Sequence, residues 1–86
     1  MKNEEIIAHP IRFTFANNLR KIRRLKDISQ EALSFDANLS RAYISDVERG
    51  KRAISIDAMG KIADALQVNL VDLLKTDYSI ENFIQK

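Results

Sequence analysis

Arg41, Ala42, Ser45, Asp46 and Arg49 fall close together in SRAYISDVERGKR, Ser40 to Arg52. On a helical wheel of about 100° per residue, Ala42, Ser45, Asp46 and Arg49 share a stripe about 100° wide. Arg41 lies in the first turn and Tyr43 at the edge. Side chains of these types have a use on the edges of DNA bases. A guanidinium grips guanine in a two-bond fork, an alanine methyl meets the thymine methyl, and a carboxylate accepts from cytosine N4. Catalysis is not indicated. No nucleophile comes with a base and an orienter, and the carboxylates are scattered rather than paired. His9 has no second histidine near it, and there are no cysteines. Neither a metal, a cofactor nor a disulfide is expected, and the chain reads as a binding protein rather than an enzyme.

That stripe needs a helix to present it and a core to hold the helix. Ser40 is placed to cap its start and Gly50 to stop it. Ile44 and Val47 point away from the stripe, toward a core. Upstream, Ser29 caps a second helix with Gln30 and Glu31 in its first turn. Ala32, Leu33 and Ala37 supply its packing. Asn38 ends it, because asparagine tolerates the left-handed backbone of a tight turn. A first helix is expected from about Arg12 to Lys26, with Phe15, Leu19 and Ile22 as its apolar stripe. Arg20, Lys21 and Arg24 fall on its solvated side, whereas Arg23 sits beside the stripe, where a lone charge is costly.

After the link Lys51–Ile54, Ser55 caps a fourth helix whose stripe is Ile56, Met59, Ile62, Ala63 and Leu66. Asn69 caps a short fifth helix in which Leu70, Val71, Leu73 and Leu74 crowd into five positions. One buried face cannot use all four, so some should face a partner. The expectation is an all-α, compact five-helix domain over residues 12–76. A short N-terminal arm covers residues 1–11, and a C-terminal tail, residues 77–86, repeats helical spacing with Ile80, Phe83 and Ile84.

The 86 residues suit a single domain, and 45% hydrophobic content suits a modest core. No apolar run is long enough to span a membrane, and the first ten residues do not read as a signal peptide. A reducing cytoplasm is the expected location. The net charge of +2 hides an asymmetry. Residues 12–52 hold ten Lys/Arg against five Asp/Glu, while residues 53–86 hold three against five. Positive charge gathered in the front half points to a polyanionic partner.

Two helices joined by a tight turn, the second capped by serine and thin on its outer side, make a helix-turn-helix that fits the major groove. Residues 19–74, LRKIRRLKDISQEALSFDANLSRAYISDVERGKRAISIDAMGKIADALQVNLVDLL, resemble the Cro/repressor (Xre) type of helix-turn-helix without a gap. The cluster NLSRAYISDVERGKR is most similar to the controller proteins of restriction–modification systems. Phage-type repressors and antitoxins share most of it and are the alternatives.

The resemblance implies roles. Arg41, Ala42, Tyr43 and Asp46 match base-reading positions. Gln30, Ser40, Ser45, Arg49, Lys51 and Arg52 match or adjoin positions that contact the DNA backbone. Arg23 and Glu48 match a buried ion pair. Two roles stay open to Asp46 besides base reading: pairing with Arg49, or repelling phosphate at wrong sites. Tyr43 either reads DNA or packs its ring on the core edge and sends only its hydroxyl outward. Three residues depart from the family pattern: Asn38 for the turn glycine, Ile54 for a proline, and Gly60 inside helix four, where the close approach of another backbone is the one account on offer.

The functional expectation is a sequence-specific, autoregulatory transcription regulator that binds double-stranded DNA as a homodimer on a pseudo-palindromic operator, in a restriction–modification operon. Leu70, Val71, Leu74 and Phe83 are the candidate dimer interface. RNA polymerase or a toxin would be the protein partner. A pure protein-interaction module would have no need of Arg41 on the recognition face or of clustered basic residues. No effector site is expected, so control should follow protein concentration.

Overall fold

The structure is a computed structural model and describes residues 7–76. Among these residues every regular element is a helix. They are α1 (Ile11–Leu25), α2 (Gln30–Ala37), α3 (Arg41–Glu48), α4 (Ile56–Leu66) and α5 (Leu70–Leu74). Phe83 and the rest of the tail lie outside the described residues, as do residues 1–6 of the arm.

Local chemistry sets most boundaries. The hydroxyls of Ser29, Ser40 and Ser55 accept from the backbone N–H groups of Ala32, Tyr43 and Ala58, each satisfying a donor that the first turn leaves unpaired. Asn69 opens α5 with a capping box closed by Asp72. Asn38 has φ 58° and closes α2, and Leu39 N–H reaches back to Ser34 O. Asparagine thus performs the turn usually given to glycine. Pro10 stands at the N-cap of α1, and His9 Nδ1 accepts from Ile11 N–H. The helix therefore begins one residue before the sequence expectation.

The core is formed by Phe15 and Leu19 of α1, Leu33 of α2, Ile44 and Val47 of α3, Ile62 and Leu66 of α4, and Leu73 of α5. Helix α1 packs on α5 and α3, and α2 packs on α3 and α4. Asn18 Nδ2 donates to the carbonyls of Leu73 and Lys75, tying the end of α5 to α1. Two packing expectations are corrected. Ile56 was expected on the α4 stripe but is 70% exposed, and Ala58 takes the buried place. In the first turn of α4, Ala58 is buried and Met59 packs against the core, whereas Ile56 and Asp57 face outward. Ala32 is exposed too; Leu33, Ser34 and Ala37 form the inner side of α2.

Gly50 has φ 70°, and a Cβ there would meet the Phe13 ring at 2.7 Å. Both the backbone and the contact require glycine, which ends the α3 region in a fixed direction. Gly60 differs. Among the described residues a Cβ there meets nothing within 4 Å, so no close backbone approach among them accounts for it. Gly60→Ala is expected to stabilise the fold by roughly 0.5–1 kcal/mol, through the helix propensity it restores. A thermal melt should show a rise of about 2–8 °C. An unchanged or lower midpoint would mean that something outside the described residues occupies the space.

Candidate nucleic-acid interface

Helix α3 is anchored from below. Ile44, Val47 and Glu48 are buried on its inner side. Arg41 and Ala42 are exposed at its first turn, Arg49 is exposed at its end, and Ser45 and Asp46 are half-exposed between them. The stripe expected from the wheel exists as one continuous outer face. It carries only a methyl, a hydroxyl, a carboxylate and guanidinium groups.

The other expected positions surround it. Ser40 caps α3 through its hydroxyl oxygen, and the hydroxyl hydrogen remains a donor. Lys51 is exposed in the link, and its N–H returns to Asp46 O, which closes the link against the helix. Tyr43 is half-buried, with its ring against the core cluster. Arg52 lies in the link after the helix, with its guanidinium 4.7 Å from the Tyr43 ring centroid and 3.9 Å from Asp46 Oδ2. Asp46 Oδ1 accepts from Arg49 Nη2 at 3.0 Å.

Beneath α3 lies the ion pair. Glu48 is 3% exposed and Arg23 9%. Arg23 Nε donates to Oε2 at 2.5 Å and Nη2 to Oε1 at 3.0 Å, a two-bond fork, while Nη1 donates to Ile28 O at 2.8 Å. Gln30 Nε2 adds a bond to Glu48 Oε1 at 3.0 Å. Gln30, assigned to phosphate by resemblance, thus fixes its amide on Glu48 and keeps its second amide hydrogen and its oxygen for other partners. Burial raises the Glu48 pKa. The hydrogen bonds from Arg23 and Gln30 and the charges of Arg23 and Arg20 outweigh that and hold it below the ordinary carboxyl value of 4.5.

Sequence reasoning missed two residues. Arg20, placed on the solvated side, donates to Glu48 O at 2.6 Å and to Asn17 Oδ1 at 2.6 Å. It thereby satisfies a carbonyl of the last α3 turn, where a cation also suits the helix dipole. No local signal marks this, because the partners are 28 residues apart. Phe35 on α2 is 84% exposed and lines a shallow groove with Asn38, Ser40 and Arg41. Its position three residues before the turn was a usable signal. The arrangement can offer an arginine and an aromatic ring at one end of α3, and arginines at the other, to a grooved polyanion.

The candidate dimer residues are partly on the surface. Val71 is 62% exposed, Leu70 and Leu74 are half-buried, and Leu73 is buried in the core. No helix among the described residues is long and apolar enough to cross a membrane.

Residues 19–73 match the model of the Helix-turn-helix family. The control protein C.BamHI of Bacillus amyloliquefaciens is 49% identical over 69 residues, covering 79% of this chain and 85% of that one. The restriction–modification controller protein C.AhdI of Aeromonas hydrophila has a crystal structure that matches with a TM-score of 0.72 at 37% identity, over 76% of this chain and 98% of that chain. The controller protein C.Esp1396I, solved as a tetramer in complex with its natural 35 base-pair operator, matches with a TM-score of 0.70 at 30% identity, over 79% of this chain and all of that chain. A helix-turn-helix core whose exposed α3 face is thin and arginine-flanked, and these likenesses across most of the chain, place the protein in the Helix-turn-helix family, among its restriction–modification controller proteins.

Proposed function

We propose that this chain is a sequence-specific DNA-binding transcription regulator of a restriction–modification operon, acting in the cytoplasm as a homodimer on a pseudo-palindromic operator upstream of its own gene. The observation that carries this reading is the outer face of α3, which is exposed, thin and flanked by arginines, on a core that matches controller proteins. The likeness to controller proteins favours this over a phage-type repressor or an antitoxin. In this reading Arg41, Ala42, Tyr43 and Asp46 face base edges. Gln30, Ser40, Ser45, Arg49, Lys51 and Arg52 face the backbone. Residues 12–76 are the DNA-binding unit. Leu70, Val71 and Leu74 meet their copies across a two-fold axis.

Protection mapping of the DNA upstream of the gene tests the reading. Two related protected half-sites about one helical turn apart, roughly 34 Å, are expected. Two arginines then separate reading from holding. Arg41→Ala should cost about 1–3 kcal/mol on the protected sequence and much less on random duplex, because it removes a base contact. Arg52→Ala should weaken both by similar factors and flatten the slope of log affinity against log salt by about one unit. Equal specificity ratios for the two variants would mean that Arg41 only grips phosphate.

A further inference from the structure

The middle of the α3 outer face holds a cluster of mixed sign. Asp46 is the only acidic side chain on the stripe. One of its carboxylate oxygens accepts from Arg49 at 3.0 Å and the other faces Arg52 Nε at 3.9 Å. Arg52 is held over the Tyr43 ring, and the link that carries it is tied back by the bond from Lys51 N–H to Asp46 O. All three charged side chains are substantially exposed. Exposed pairs of this kind contribute under about 1 kcal/mol to stability. Folding therefore does not explain them, and their place on the presented face does. A carboxylate occupying two guanidinium groups fills the position that a DNA phosphate would take on both.

From this geometry we infer that Asp46 determines specificity by competition, standing in for phosphate on Arg49 and Arg52. The inference rests on the DNA-binding reading above and deepens it. To grip the backbone, both arginines must leave Asp46, whose carboxylate is then unpaired and close to phosphates. On a sequence that presents cytosine N4 to α3, the carboxylate gains a donor in exchange. On other sequences it gains none, and Arg49, the closer partner at 3.0 Å, stays engaged with it while Arg52, at 3.9 Å, still reaches phosphate. Asp46 thus suppresses binding to wrong DNA more than it supports binding to right DNA, as a repulsive element in a specific interface does.

The test is Asp46→Asn, which keeps the shape and removes the charge. It is titrated on the duplex protected in footprinting and on a random duplex of equal length, at several salt concentrations. The variant should melt within about 2 °C of the wild type, since only two exposed pairs are lost. Affinity for random duplex should rise about eightfold at 0.1 M salt, the factor that one additional phosphate contact supplies through counterion release, and its salt slope should steepen by about one unit. Affinity for the protected duplex should fall, because the acceptor for cytosine N4 is weakened, so the specificity ratio drops. In an Arg49→Ala/Arg52→Ala background the same substitution should change random-duplex affinity less than about twofold, because the competition has been removed. Unchanged random-duplex affinity with a loss on the protected duplex would make Asp46 a base reader alone and overturn the inference. A full gain surviving in the double-alanine background would assign the effect to diffuse repulsion and overturn it as well. Wild-type protein that binds neither duplex would instead defeat the DNA-binding reading itself.

Discussion

Val71→Glu is expected to make the protein monomeric at tens of micromolar and to lower its affinity for the protected duplex by about 10²–10⁴-fold, the gain that joining two half-site contacts supplies. Helix α5 offers apolar residues at four of five positions, and only Leu73 is taken up fully by the core. Val71 is exposed on the surface, so a carboxylate there costs the fold little. A two-fold interface places the same patch against itself, so one substitution sets two like charges across the axis. The capping box of Asn69 and Asp72, the tie of Asn18 to Leu73 O and the Lys75–Asp72 ion pair at 3.1 Å do not involve the Val71 side chain. An unchanged far-UV spectrum with a halved sedimentation mass is the expected pair of results. Wild-type protein sedimenting as a monomer, or a variant that dimerises and binds as before, would remove α5 from the interface.

Glu48→Ala should destabilise the fold by about 3–5 kcal/mol, because it strands Arg23 in a buried position. A domain of this size has only about 5–10 kcal/mol in hand. The melting midpoint should fall by more than about 10 °C. DNA binding should be lost only as a consequence, and should return on cooling to a temperature at which the variant is folded. Replacing the pair together, by Arg23→Met with Glu48→Leu, should recover much of the loss, since no unpaired charge is then buried.

The pH dependence has a definite sign. The Glu48 carboxyl has a lowered pKa in the fold, so its contribution is present above about 4.5 and is lost as pH falls through the folded value. Glu48→Gln should flatten that part of the acid-denaturation curve. A Glu48→Ala protein that melts like the wild type and no longer binds would move Glu48 out of the scaffold and into the interface.

Much of this was legible in the residues alone, for a physical reason. Caps and stops are interactions over three to five residues, so Ser29, Asn38, Ser40, Ser55 and Gly50 announce the element ends without reference to the rest of the chain. Periodicity identifies the inner side of α3, and the α3 outer face follows as its complement. Even the Arg23–Glu48 pair was signalled, by the place of Arg23 beside the α1 stripe and by the resemblance that pairs it with Glu48. What the sequence could not determine was the partner of any group whose bond spans the fold. Arg20 reads as solvated until α3 is placed over α1, and the link residue Arg52 shows no partner until the fold sets it by Tyr43 and Asp46. Ile56 satisfies the α4 period, but a period gives only an angle about the helix axis. Which neighbours stand at each turn decides what is covered, and in the first turn Ala58 and Met59 are taken up while Ile56 is left out. Gly60 is the same case in reverse, where only the packing shows that none of the described residues occupies the place beside it. The sequence by itself determined the elements and the charges they carry; the tertiary structure decided which charges hold one another and which are left to meet DNA.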